Sequence, residues 1–430
     1  MPRPHLPLCA VLLASACSDP PPPSAPTQAE HGPDGPKTPA GFDGGTGPAG
    51  VPADKSAHQQ GDRRKDKRPD GPPHTTPDGQ PLMAPLAEVA DPSKGLAPYE
   101  VPVPDWMSPP PSPPDNPPTH AGVDLGRHLF YDPLLSGNDT QSCGSCHHQE
   151  RSFADRRGVS IGSTGKRLAR NAMPLVNLAW TAPYFWDGRA PTLEALVPIP
   201  IQHPDEMNED MDTLIGQLSE HPDYPARFEA AFPGEGITEG TISKAVAQFM
   251  RTMVSFNSRA DLLDAGLTEL TELEMRGNAL MVDGLPKGAP DRVQDICDAC
   301  HKHSAGVKGG SSNMGLFTVS KLKTNGLPIE DGDDDGAGGR FMVPSIRNLT
   351  VTAPYMHDGR FEDLTQVVEH YNTQMVASTH LEPPLAKDGQ PQKMRMNEED
   401  VAATVAMIGI FTDPHFLTNP AYGSPFPPEE

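Results

Sequence analysis

The chain has 430 residues, a formal net charge of -23 and a pI near 5.0. That acidity excludes nucleic acid as a partner, since binding phosphates calls for a basic surface, and it suits a body that meets a basic or dipolar partner. Of 6 cysteines, none is left over for a structural disulfide once the motifs below are counted, and after Cys17 no apolar stretch is long enough to cross a bilayer.

Residues 1–17 read as a secretory signal: Arg3, a short apolar run, then small residues ending at Cys17. Leu13-Ala14-Ser15-Ala16-Cys17 resembles a bacterial lipoprotein box with Ala14 where Leu is usual, so lipidation of Cys17 stands beside an ordinary cut near Ala16. Export places the chain in the periplasm, tethered to a membrane if Cys17 is acylated. Residues 18–120 hold roughly half of the 53 prolines and almost no apolar periodicity, and read as a disordered Pro/Gly-rich tether. Its end, around Tyr99 to Trp106, is the part expected to lie against the folded body. The basic island Gly61–Arg68 inside it reads as a solvated charge run.

Residues 121–430 suffice for two domains, 121–265 and 266–430. Helical spacing is present at Val123–Tyr131, Thr213–Leu218, Glu239–Met253, Leu270–Met281, Leu364–Tyr371 and Glu398–Phe411. Strand signals are few. The fold class is mostly α; with one C-x-x-C-H motif in each half, at residues 143–147 and 297–301, the chain reads as two cytochrome-c-like haem domains behind the disordered segment.

Each domain carries one C-x-x-C-H motif, Cys143-Gly-Ser-Cys146-His147 and Cys297-Asp-Ala-Cys300-His301. Two thiols one helical turn apart can form thioethers with the haem vinyl groups, and the following His places an imidazole under the iron. A single copy fits a redox dithiol or half a zinc site as well; two copies behind an export signal point to two covalently bound haem c groups. Asp331–Gly336 is acidic, but the twelfth place of an EF-hand loop starting there is Met342 rather than Glu, so it reads as a solvated loop.

Around these motifs, Leu125-Gly-Arg-His-Leu-Phe-Tyr-Asp132, Arg170-Asn171-Ala-Met-Pro174, Tyr184-Phe-Trp186-Asp-Gly-Arg189, Glu206-Met207, Val343-Pro-Ser-Ile-Arg-Asn348 and Ala353-Pro-Tyr-Met-His357-Asp-Gly-Arg360 follow in order. Together they resemble the bacterial di-haem cytochrome c peroxidase and MauG family from about Leu125 to Thr412. The resemblance implies a peroxidatic first haem with His147 proximal and an electron-transfer second haem with His301 proximal. It implies Trp186 as the bridge between haems and Glu206 as the distal acid/base that moves a proton during peroxide cleavage. It further implies a calcium ion held by the Asn171 side chain and the carbonyls of Thr352 and Pro354.

Three positions depart from the family pattern. The Gln often paired with the distal acid is Leu196 here. The loop that in many members supplies a closing His reads Ser160-Ile161-Gly162-Ser163, so the first iron is expected to be open at rest. The distal place of the second haem, a Met in the peroxidases, is Tyr371, as in MauG-type members; His370, Met375 and Met356 are its rivals. No Trp precedes the second haem motif, where MauG uses one to reach its protein substrate.

The leading function is therefore reduction of hydrogen peroxide to water with electrons from a small cytochrome c or cupredoxin. MauG-like oxidation through high-valent iron, on a protein or organic substrate, is a second enzyme reading. A plain di-haem electron carrier is a third, and it gains nothing from an open iron beside an acid. A homodimer is one expected assembly.

Overall fold

The computed structural model describes residues 74–105, 107–283, 301, 323–324, 340–377, 381, 385–387 and 390–427. Cys297, Cys300, Trp106, the acidic run 331–336 and everything before residue 74, the signal and basic island included, lie outside them.

The helical readings hold with small shifts of boundary. Helix α1 (His120–Tyr131) starts at Thr119, whose side chain accepts from the Gly122 N–H. The short helices α2 (Leu193–Leu196) and α3 (Pro198–Gln202) follow, then α4 (Met211–Glu220), α5 (Tyr224–Ala231) and α6 (Glu239–Thr252). Helices α7 (Arg259–Asp264), α8 (Glu272–Asn278), α9 (Leu364–Glu369), α10 (Glu398–Gly409) and α11 (Pro414–Thr418) complete the set among the described residues. Strands are limited there to three antiparallel two-residue pairs. No described helix is long and apolar enough to cross a membrane.

Two apolar clusters organise these helices. The first is built on α1 and α6, with Leu125, Leu129, Phe130, Ala245 and Phe249 fully buried. The two helices touch backbone to backbone: a Cβ on Gly126 would lie 2.0 Å from the Ala245 carbonyl oxygen, so only glycine fits there. The second cluster is built on α8 and α10 and includes Ala260 of α7, Val401, Met407 and Phe411. Its close approach uses the same device, Gly277 against the Ala403 carbonyl. Phe416, Ala421 and Tyr422 return the chain end to the first cluster.

A second internal repeat is finer. Asn177–Ala190 and Asn348–Phe361 have the same backbone. Asn177 and Asn348 are left-handed (φ 55° and 59°), Phe185 and Met356 likewise (67° and 75°), and Gly188 and Gly359 close the turns (70° and 68°). The Tyr184 hydroxyl donates to the Leu178 carbonyl at 3.0 Å, and the Tyr355 hydroxyl to the Leu349 carbonyl at 2.9 Å. Trp186 of one copy corresponds in place to His357 of the other.

The expected tether needs correction at its C-terminal end. The chain is bound to the body already from His74, well before the Tyr99 to Trp106 stretch that was expected to meet it. Leu82, Ala84, Tyr99 and Asn116 are buried. The Asn257 side chain accepts from the N–H groups of Met83 and Ala84, and Asn116 exchanges hydrogen bonds with Glu194 and Gln248. Prolines already limit the freedom of the unfolded chain, so a few apolar anchors and side-chain bonds are enough to hold such a segment.

Candidate active site

A cavity of about 590 Å³ opens between the first cluster and the Met342–Ser345 segment. Cys143, Cys146 and His147 line one wall. Trp186, Leu196, His203 and Glu206 line the others. Its volume falls in the usual range for a cofactor pocket.

The residues present fit a c-type haem. Cys143 and Cys146 are both free of disulfides and face this space. Burial pushes their thiols up, to about 12 and about 11 respectively. His147 sits with its Nδ1 2.5 Å from the Phe153 carbonyl. A carbonyl only accepts, so Nδ1 carries the proton and Nε2 is left with its lone pair for a metal. Burial holds this imidazole below its ordinary pKa, against the opposing pull of that carbonyl. His301 is held in the same way, with Nδ1 donating to the Pro344 carbonyl at 3.0 Å. Pro344 also lines the first cavity, so one residue touches both candidate haem sites.

Trp186 is buried at the junction. Its indole N–H donates to the Asn171 carbonyl at 2.8 Å, and its own carbonyl accepts from the Met342 N–H at 2.7 Å. Its ring meets those of Phe341 and His357 edge-on at 6.2 and 6.4 Å. Phe341 and His357 stack on each other at 4.0 Å. Arg170 and Arg189 both pair with Asp187, the residue after Trp186, at 3.1 and 2.8 Å.

Glu206 is half-buried on the cavity wall. Burial raises its carboxyl above the ordinary value, and nearby His203 and Arg189 act in the opposite sense. The turn that carries it is tied to the Ser160–Ser163 loop. No side chain in that loop is an imidazole, and Leu196 stands in the wall as the sequence indicated.

Asn171 gathers backbone oxygens. Its side-chain nitrogen donates to the Gly158 carbonyl at 2.9 Å and reaches those of Pro354 and Arg157 at 3.3 and 3.4 Å. Three carbonyls around one amide are more acceptors than its hydrogens require, and such hard oxygens suit calcium. It is the Asn171 amide nitrogen that faces these carbonyls here, whereas the expected calcium site would take its side-chain oxygen; Arg157 and Gly158 were not singled out in the sequence. Thr352 lies two residues before Pro354 and closes the 3-10 turn Leu349–Val351 through its N–H.

Tyr371 falls in a π turn, His370–Gln374, and packs with Met375, Leu381, Leu385, Ala386 and Met394. On a regular α-helix His370 would point about 100° away from Tyr371, but a π turn does not keep 3.6 residues per turn, so that angle does not separate the two here. His370 is buried, 5.5 Å from the Phe361 ring.

The helical lobes and the thiol–imidazole cavity define a c-type haem oxidoreductase. Residues 120–268 match the model of the di-haem cytochrome c peroxidase family. The chain is 30% identical to the methylamine utilization protein MauG of Methylophilus methylotrophus over 311 residues, 69% of this chain and 85% of that one. It is 33% identical to the cytochrome c551 peroxidase of Nitrosomonas europaea over 251 residues, 57% of this chain and 71% of that one. Among solved structures, a MauG-like protein associated with microbial copper homeostasis superposes with a TM-score of 0.62 at 31% identity, covering 75% of this chain and 98% of that one. The chain belongs to the di-haem cytochrome c peroxidase family.

Proposed function

We propose that this protein reduces hydrogen peroxide to two waters, taking two electrons from a small cytochrome c or cupredoxin and two protons from solvent. One observation carries the reading: the Cys143–Cys146–His147 set and a half-buried Glu206 face one cavity. Haem bound there supplies the redox and Lewis-acid chemistry. Glu206 takes a proton from the peroxide and returns it to the departing oxygen. Its burial raises the carboxyl above the ordinary carboxylate value, which favours a group that both takes and returns a proton. Leu196 leaves that exchange to Glu206 and water.

In this reading the lobes 121–265 and 266–430 hold one haem each, attached at Cys143 and Cys146 and at Cys297 and Cys300. His147 and His301 are proximal, with their tautomers set by the Phe153 and Pro344 carbonyls. Trp186 bridges the two lobes. Tyr371 would be the distal ligand of the second haem, and Asn171 with Pro354 and Thr352 would hold calcium. The protein works in the periplasm, with Cys17 as its lipid anchor. A second reading, oxidation of another molecule as in MauG, is favoured by the MauG relatives and by Tyr371 standing where peroxidases have Met.

Glu206→Gln tests the first reading. Both haems should remain attached, while kcat falls by about 10²–10⁴, the usual loss for a general acid/base. The carboxylate must be ionised to accept the proton, so wild-type activity should fall as pH drops through the raised pKa of Glu206. Stability has the opposite sign. The folded state prefers the neutral acid, so ionisation costs stability as pH rises from the unfolded value through the folded one. Glu206→Gln should therefore be more stable than wild type at neutral pH and no different below the unfolded pKa. Unchanged turnover at saturating peroxide would remove Glu206 from the mechanism.

A further inference from the structure

We infer that Ser163 is a positioning residue for Glu206, clamping the turn that carries the carboxylate against the loop of residues 160–166; the inference rests on the acid/base role given to Glu206 above. Ser163 grips that turn at two points. Its N–H donates to the Glu206 carbonyl at 2.8 Å, and its hydroxyl donates to the Met207 carbonyl at 2.9 Å. The Met207 carbonyl also accepts from the Gly137 N–H at 2.9 Å, and the Asn138 side chain donates to the Ser163 carbonyl at 2.8 Å. Three stretches of chain thus close on one point.

The loop is itself braced. Gly162 N–H donates to the Lys166 carbonyl at 2.8 Å, and the Leu168 N–H donates to the Ser160 carbonyl at 2.9 Å. Outside, the Lys166 ammonium pairs with Asp205 at 2.6 Å. The Glu206 N–H donates to the His203 carbonyl at 3.0 Å, so the backbone is held on both sides of the acid. None of these bonds uses the Glu206 carboxylate. Ser163 therefore acts through where the acid stands, which matters because a proton-transfer group must be held within a fraction of an ångström.

The test uses the haem-loaded full chain in four forms: Ser163→Ala, Ser163→Thr, Glu206→Gln and the Ser163→Ala/Glu206→Gln double variant. Ser163→Ala should lower kcat about five-fold with KM for peroxide unchanged, the rate equivalent of one lost hydroxyl–carbonyl bond. Ser163→Thr keeps the hydroxyl and should restore the rate. In the Glu206→Gln background, Ser163→Ala should add no further loss, because a positioning residue has nothing left to position. Independently of turnover, amide hydrogen exchange in peptides spanning 160–168 and 203–208 should speed up in Ser163→Ala and return to wild type in Ser163→Thr. Equal slowing by Ser163→Ala in both backgrounds would overturn the inference. So would a slow Glu206→Gln enzyme beside a Ser163→Ala enzyme at the wild-type rate. A Glu206→Gln enzyme at the wild-type rate would instead overturn the acid/base reading, and the inference with it.

Discussion

A single methyl group at Gly162 should damage turnover far more than its size suggests. A Cβ on Gly162 would lie 1.9 Å from the Asp205 carbonyl oxygen and 2.6 Å from that of Glu206. Both obstacles are backbone, so no side chain can swing aside to relieve them. Real Cβ contacts closer than 3.0 Å essentially never occur, so the Glu206 turn must retreat by about 1 Å in Gly162→Ala, and a misplacement of about 1 Å at a reacting group costs about 10²-fold. The overpacking itself should cost about 1–3 kcal/mol of stability. The assay is steady-state peroxide turnover, with a pyridine haemochrome count to confirm that haem is retained. Gly216→Ala is the control: Gly216 lies exposed on α4 with nothing within 4 Å of its Cβ. That change should stabilise the helix by about 1 kcal/mol and leave turnover alone. Wild-type kcat in Gly162→Ala, with haem retained, would refute the reasoning that the loop fixes the position of Glu206.

Two further outcomes follow from other parts of the structure. Asp261→Ala removes the carboxylate that pairs with the fully buried Arg347 guanidinium at 2.6 and 2.9 Å. Denaturant unfolding should show a loss of about 3–5 kcal/mol; a loss under about 1 kcal/mol would show that water or another group replaces the carboxylate. Trp186→Phe removes the indole donor to Asn171, and should cost no more than about 1.5 kcal/mol of stability while slowing electron transfer between the haems. Unchanged transfer on flash reduction would make Trp186 a packed aromatic only.

The chemistry of this chain was more legible than its scaffold. Cys143, Cys146 and His147 stand in one fixed short pattern and Glu206 was implied by the family resemblance, and the structure brings all four to the walls of one cavity. What holds them is backbone, which leaves no signature in side-chain identity. The Phe153 carbonyl under His147, the Pro344 carbonyl under His301 and the carbonyls around Asn171 are of this kind. Long separations were equally silent: Asp261 and Arg347 are 86 residues apart, and neither predicts the other. Long amphipathic helices such as α1, α6 and α10 were read directly. Helices α2, α3, α5, α7 and α11 were missed because each is too short for its apolar period to emerge, and several open on proline. Composition misled at residues 74–120, where proline richness signalled a free tether and a handful of anchors fasten the chain instead.

The most direct test mixes the fully oxidised protein with hydrogen peroxide in a stopped-flow spectrometer, without prior reduction, beside the Glu206→Gln variant. The Ser160–Ser163 loop offers no imidazole to close the first site, and that loop is fastened to the Glu206 turn. The wild-type haem spectrum should therefore change on mixing, at a rate proportional to peroxide concentration, and the variant should react at least about 10²-fold more slowly. An oxidised protein that stays inert until one haem is reduced, or a variant that reacts as fast as wild type, would contradict a site assembled in advance around Glu206.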